Sequence, residues 1–159
     1  MGYTHYWSYD ENFNRQRLSR ALLDTAKIVK AVRERGIVLC GGLGEGEPDI
    51  SEWGILLNGD KSQELDHETF MFPMDKELVV EAKALHGGLW DFCKTARKPY
   101  DLAVCAILLV LKHHLGNQIR IASDGKREPD GWLPAEALVK EVLGYDVEFV
   151  KEDTLPVRG

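Results

Sequence analysis

The segment Phe92-Cys93-Lys94-Thr95-Ala96-Arg97-Lys98-Pro99-Tyr100-Asp101 carries the chemistry most legible in this chain, and it runs straight into an apolar block at 102–111. Lys94, Arg97 and Lys98 fall within five residues of a predicted helix start, in a chain of formal net charge −6. Pro99 marks the first turn, because its fixed φ suits a helix and its missing N–H would be unpaired there anyway. The first amides of a helix and its dipole favour an anion, and adjacent cations strengthen that preference. In such a site Arg97 forks onto a phosphate, Lys94 and Lys98 act as point charges, and Thr95 donates a hydroxyl bond. The plainer alternative is a solvated basic turn in which Asp101 answers one of the charges and competes for the same dipole.

Four further groups could contribute. On a strand, Tyr3, His5 and Trp7 share one face, which can stack a base and bond its edge, or can be covered by a helix. His67 and Thr69 share a face of a second strand. His67 is a candidate for a general base, since its unperturbed pKa falls in the working range, although an ordinary strand-end histidine is the readier reading of the sequence. Cys93 sits where a thiol pKa can be lowered, but no paired base is close in sequence, and Cys105 reads as core packing. Ser123 and Asp124, after a strand, could meet a ligand hydroxyl or make an Asx turn. The glycine-rich stretch 41–51 is not a nucleotide loop: no helix follows it, and Glu45, Glu47 and Asp49 would repel phosphate. His5 and His67 lack a closely spaced second ligand, and the adjacent His113 and His114 point to different helix faces, so no metal and no cofactor is expected.

These residues need elements to hold them. Residues 3–8 read as a strand, followed by a helix capped at Asp10 or Asn12 and running to about Arg35, with Gly36 past its end. Strands are expected at 37–40, 53–57 and 68–72 as an antiparallel meander, with Asn58-Gly59 as a turn. Residues 74–88 read as a helix or as a surface insertion. An extended piece at 89–93 leads to a central helix from 99 to about 115, apolar all round and therefore surrounded by other elements. A strand at 119–122, a loop at 123–131, a helix from Pro134 and a last strand at 145–149 complete the chain, with 154–159 as a tail. The expected architecture is α+β: a single domain over 1–159, mainly an antiparallel sheet with packed helices and a buried central helix.

Bulk composition narrows the classes. The chain has 159 residues, 44% hydrophobic and 29% charged, which suits one soluble globular domain. A sequence pI near 5.4 argues against duplex nucleic acid, which demands a broad positive surface. Three cysteines without framework spacing suggest a reducing compartment, and the aromatic N-terminal stretch has no secretory h-region. The ten-residue apolar run is too short to span a bilayer, so no membrane partner is expected and a cytoplasmic location is.

The motifs Gly2-Tyr3-Thr4-His5-Tyr6-Trp7, His67-Glu68-Thr69-Phe70 and Cys93-Lys94-Thr95-Ala96-Arg97-Lys98-Pro99-Tyr100-Asp101 resemble those of a family of small proteins common in bacteriophage genomes and prophages. The Ala103-Val104-Cys105 stretch and the Ser123-Asp124-Gly125 turn extend the likeness over most of the chain. The resemblance implies a phage origin and the cytoplasm of an infected bacterium, and it carries over no activity. The resulting expectation is a phage protein that binds a small phosphorylated ligand, a nucleotide immune signal, and sequesters it without turnover. Its ligand-binding set would be Tyr3, His5, Trp7, His67, Thr69, Lys94, Thr95, Arg97, Lys98, Asp101, Ser123 and Asp124. The alternatives are an enzyme that hydrolyses or modifies a nucleotide, with His67 or His5 as base, and a protein–protein inhibitor of a host factor. Exposed aromatic strands would also invite pairing into a homo-oligomer.

Overall fold

Ten consecutive positions with hardly a polar group dictate the centre of the molecule. In the computed structural model, which describes residues 3–154, every residue from 103 to 111 is buried. They belong to helix α3 (Asp101–Leu115). A helix without a polar face must be enclosed. Here α1 (Arg15–Glu34), α4 (Leu133–Leu143) and strand β6 (Ile119–Ser123) pack around it. Truncating one of its leucines to alanine would cost about 2–5 kcal/mol by transfer and cavity terms.

Strand β1 (Thr4–Tyr9) is the middle of a three-stranded antiparallel sheet, between β5 (Trp90–Lys94) and β6. Its register sets His5 opposite Cys93 on one side and opposite Ser123 on the other. A second antiparallel sheet runs β2 (Asp49–Ser51), β3 (Gly54–Leu57), β4 (Phe70–Pro73). One apolar cluster joins both sheets to the helices, with Trp7 tilted against Phe70 at a centroid distance of 5.1 Å. The α+β class is as expected, with the strands divided between two small sheets. Among the described helices, none is long and apolar enough to cross a membrane.

Several local expectations change. The cap of α1 is Asn14, whose side chain accepts the Arg17 N–H at 3.1 Å, because Asp10 is engaged with Arg120 instead. Residues 37–40 form no strand beyond a single bridge from Cys40 to Asn58, and the meander's first strand lies at 49–51, inside the expected loop. Asn58-Gly59 is no two-residue hairpin turn. The Asn58 carboxamide is consumed by the N–H groups of Gly59 and His67 and by the carbonyls of Gly42 and His67, which pins a longer loop. Gly59 is obligatory there, since a Cβ would lie 2.0 Å from the Leu65 carbonyl. Residues 74–88 contain a regular helix, α2 (Lys76–His86), capped by Asp75 and ended by Gly87 at φ +70°. The expected strand at 145–149 does not form. Its alternating aromatics pack on helices instead, Tyr145 stacked on His113 at 3.7 Å and Phe149 on Trp132 at 4.2 Å. The expected tail from 155 onward lies outside the described residues.

Candidate functional site

The basic segment leaves β5 and turns sharply before α3 begins. The amides of Thr95 and Ala96 both donate to the Tyr3 carbonyl, at 3.0 and 3.3 Å. Ala96 and Arg97 then adopt left-handed backbone in succession, at φ +52° and +59°. For L-residues other than glycine this costs roughly 1–2 kcal/mol each. The turn closes with Lys98 N–H on the Thr95 carbonyl and Asp101 N–H on the Lys98 carbonyl, at 3.0 and 2.8 Å. It therefore folds the Thr95 hydroxyl back onto the Asp101 carboxylate, 2.5 Å away.

Asp101 is the hub of a buried network. Its Oδ1 lies 2.6 Å from Nε2 of His5, and the other ring nitrogen of His5 lies 2.8 Å from Oγ of Ser123. Ser123 Oγ accepts the Gly125 N–H at 2.8 Å. Cys105, one helical turn after Asp101, places Sγ 3.4 Å from His5 Nε2 and 3.7 Å from Asp101 Oδ2. Burial alone would raise the Asp101 carboxyl. The His5 hydrogen bond and charge, with the bonds from Thr95 and Cys105, outweigh it and hold the carboxyl below its ordinary value. Burial and then the Asp101 charge push the Cys105 thiol well up, so it is protonated. The His5 ring is fully buried and sits edge-on between Tyr3 and Trp132, each centroid 5.1 Å away. Tyr3 Oη and Trp132 Nε1 are themselves buried without a hydrogen-bond partner.

Serine, histidine and aspartate in series have the composition of an acid–base relay. His5 is fully enclosed and Ser123 is buried, and the series ties β1 to β6 and to the start of α3. Of the network, Asp101 and Cys105 are among the residues that line a cavity of about 240 Å³. The first turns of α3 and α4 converge on it through Leu102, Pro134 and Ala135, and neither helix has a side-chain cap. Arg97 and Lys98 line it as well. The Arg97 guanidinium lies 3.9 Å over the Tyr3 ring, and its Nη1 donates to the Asp130 carbonyl at 2.7 Å. Lys98 Nζ donates to the Glu64 carbonyl at 3.0 Å.

Of the expected site residues, Tyr3, His5, Thr95, Arg97, Lys98, Asp101 and Ser123 do come together. Their roles differ from expectation. Tyr3 and His5 are buried, so this face supports the arginine and the network and offers no platform for a base. Trp7 is fully buried against Phe70 and takes no part. Asp124 pins the strand by exchanging bonds with the Thr4 backbone. The remaining candidates lie apart from the cavity. Thr69 donates to the Gly42 carbonyl, and the exposed His67 is held through its backbone by Asn58. Lys94 is fixed by its N–H on the Glu68 carboxylate at 2.6 Å. Cys93 is buried, and burial pushes its thiol far up, which removes it as a nucleophile. The aromatic strand β1 is bonded along both edges, whereas β5, with Trp90 stacked on the exposed Phe92, is an edge strand of that sheet.

Cys105 and the Pro129–Ala135 region of the wall were not on the expected list. The four-residue spacing of Asp101 and Cys105 was the available signal, since it places both on one helix face. No protein-family model, curated protein or solved structure matches this chain.

Proposed function

We propose that the protein binds the phosphorylated end of a small ligand in the cavity between the first turns of α3 and α4. The observation that carries this reading is Arg97. An exposed arginine is fixed by a tyrosine face below and a carbonyl beside it, at the mouth of a cavity flanked by two uncapped helix starts. A guanidinium so restrained loses little rotamer freedom on binding, and its unused N–H groups suit a phosphate. Of the two aspartates in the lining, Asp101 is hydrogen-bonded to His5 and Thr95, and Asp130 accepts from Arg97 through its carbonyl.

Size refines the ligand. About 240 Å³ is below the roughly 300–1,000 Å³ usual for pockets that enclose a drug-sized molecule. The cavity therefore takes a phosphate or pyrophosphate against Pro99, Leu102 and Pro134, and the rest of the ligand lies outside it. That the ligand is a nucleotide immune signal, held unchanged by a phage protein, rests on the sequence resemblance. Calorimetric titration with inorganic pyrophosphate tests the anion site. Binding by the native protein, weakened at least tenfold in Arg97→Ala/Lys98→Ala, is expected; equal binding by both would refute it.

A further inference from the structure

We infer that His5 Nε2, an Asp101 carboxylate oxygen and Cys105 Sγ form a site for a zinc-type divalent cation, with a fourth position open to the cavity. The three ligand atoms lie within 4.8 Å of one another. Tetrahedral zinc with bonds of about 2.0–2.3 Å sets its ligand atoms roughly 3.3–3.7 Å apart. The Cys105–His5 and Cys105–Asp101 separations, 3.4 and 3.7 Å, already match that spacing. The 3.7 Å separation is to Asp101 Oδ2; the other carboxylate oxygen, Oδ1, lies closer to His5 Nε2, at 2.6 Å, with a hydrogen-bond proton between them. A cation taking that proton's place separates them by less than an ångström.

The donor set selects the ion. Imidazole, thiolate and one carboxylate suit zinc and its neighbours, whereas magnesium and calcium demand oxygen. Thiolate and carboxylate together neutralise a divalent charge, which is what a buried site requires. The surroundings are those of a metal centre as well. Ser123 Oγ stands ready to accept Nδ1–H when Nε2 ligates, and Thr95 orients the carboxylate. His5 and Cys105 are enclosed, while Asp101 and Cys105 line the cavity, so a fourth ligand enters from the side where Arg97 and Lys98 stand. That this fourth ligand is a phosphate oxygen rests on the anion-binding reading; the three protein ligands do not.

The test uses the full chain, stripped with chelator and titrated with Co²⁺ and Zn²⁺. One cobalt per chain, with tetrahedral d–d bands and a thiolate-to-cobalt charge-transfer band, is expected, and the last is lost in Cys105→Ser and kept in Cys93→Ser. Thr95→Val should lower metal affinity about 10–100-fold by releasing the carboxylate. No cobalt retained by the native chain, or a charge-transfer band surviving in Cys105→Ser, would overturn the site. The native titration decides even if a variant fails to fold. Pyrophosphate titrations of stripped and zinc-loaded protein separate the two readings. Pyrophosphate binding without any cobalt uptake overturns the metal site and leaves the anion site standing. Cobalt uptake with no pyrophosphate binding in either form supports the metal site and refutes the anion site.

Discussion

The imidazole of His5 on β1 and the carboxylate of Asp101 at the start of α3 meet at 2.6 Å across 96 residues of sequence. This contact ties the central strand to the central helix at the point where both approach the cavity. Removing the carboxylate in Asp101→Ala leaves the His5 N–H and the Thr95 hydroxyl without their acceptor inside the fold. A loss of about 2–4 kcal/mol is expected in denaturant unfolding at neutral pH.

The same contact has a pH signature. The Asp101 carboxyl is held below its ordinary value in the folded chain, so the folded state binds fewer protons there than the unfolded state. Its stabilisation is complete above the unfolded value of about 4 and is lost as pH falls through the lower folded value. Stability curves of the native chain and Asp101→Asn should therefore converge below about pH 4. A constant gap down to the acid transition would argue against a charged Asp101.

The two left-handed residues act alike on stability and differently on binding. Ala96→Gly relieves the φ +52° backbone and keeps every charge, so it should stabilise by up to about 1 kcal/mol and leave anion affinity unchanged. Arg97→Gly should also stabilise, yet abolish anion binding. Thermal melts and pyrophosphate titrations on the same samples read both quantities.

Gly125 supports Tyr3 from behind. A Cβ at that position would fall 1.9 Å from the tyrosine hydroxyl and 2.7 Å from Cζ. Gly125→Ala should cost about 1–3 kcal/mol by overpacking and should displace the ring beneath Arg97. Adding Tyr3→Phe should recover part of that cost, which a double-mutant cycle measures.

All three cysteines are buried, and burial raises each thiol. Chelator-treated native protein at pH 8 should therefore react slowly with iodoacetamide at all three positions, by mass spectrometry, and rapidly once denatured. Fast labelling of Cys93 in the folded chain would revive it as a nucleophile.

Local signals read well from the sequence where they were strong. The all-apolar stretch 102–111 could only be an enclosed helix, and Tyr3, His5 and Trp7 could only share one strand face. What the residue string could not supply was the side of burial. Alternation is the same whether a face meets a ligand or a core, so Trp7 read as a stacking platform or as a covered face, and it is packing. Residues 145–149 alternated as well as any strand, but no neighbouring strand edge receives them and the rings packed on helices. The network needed long-range register. His5 meets Ser123 only because β1 and β6 pair in that alignment, and a residue 118 positions away leaves no local trace. Cys105 was legible by its spacing from Asp101, yet one helical turn inside an apolar run looks the same as ordinary core.

The most direct measurement incubates the purified protein with a panel of mono-, cyclic and dinucleotides, removes it from solution, and chromatographs both the supernatant and the ligand released by denaturation. Recovery of an intact phosphorylated compound from the native protein, and none from Arg97→Ala/Lys98→Ala, is the predicted result. A panel left wholly free, or a compound retained equally by the double variant, would contradict the anion site. A converted product would contradict binding without turnover.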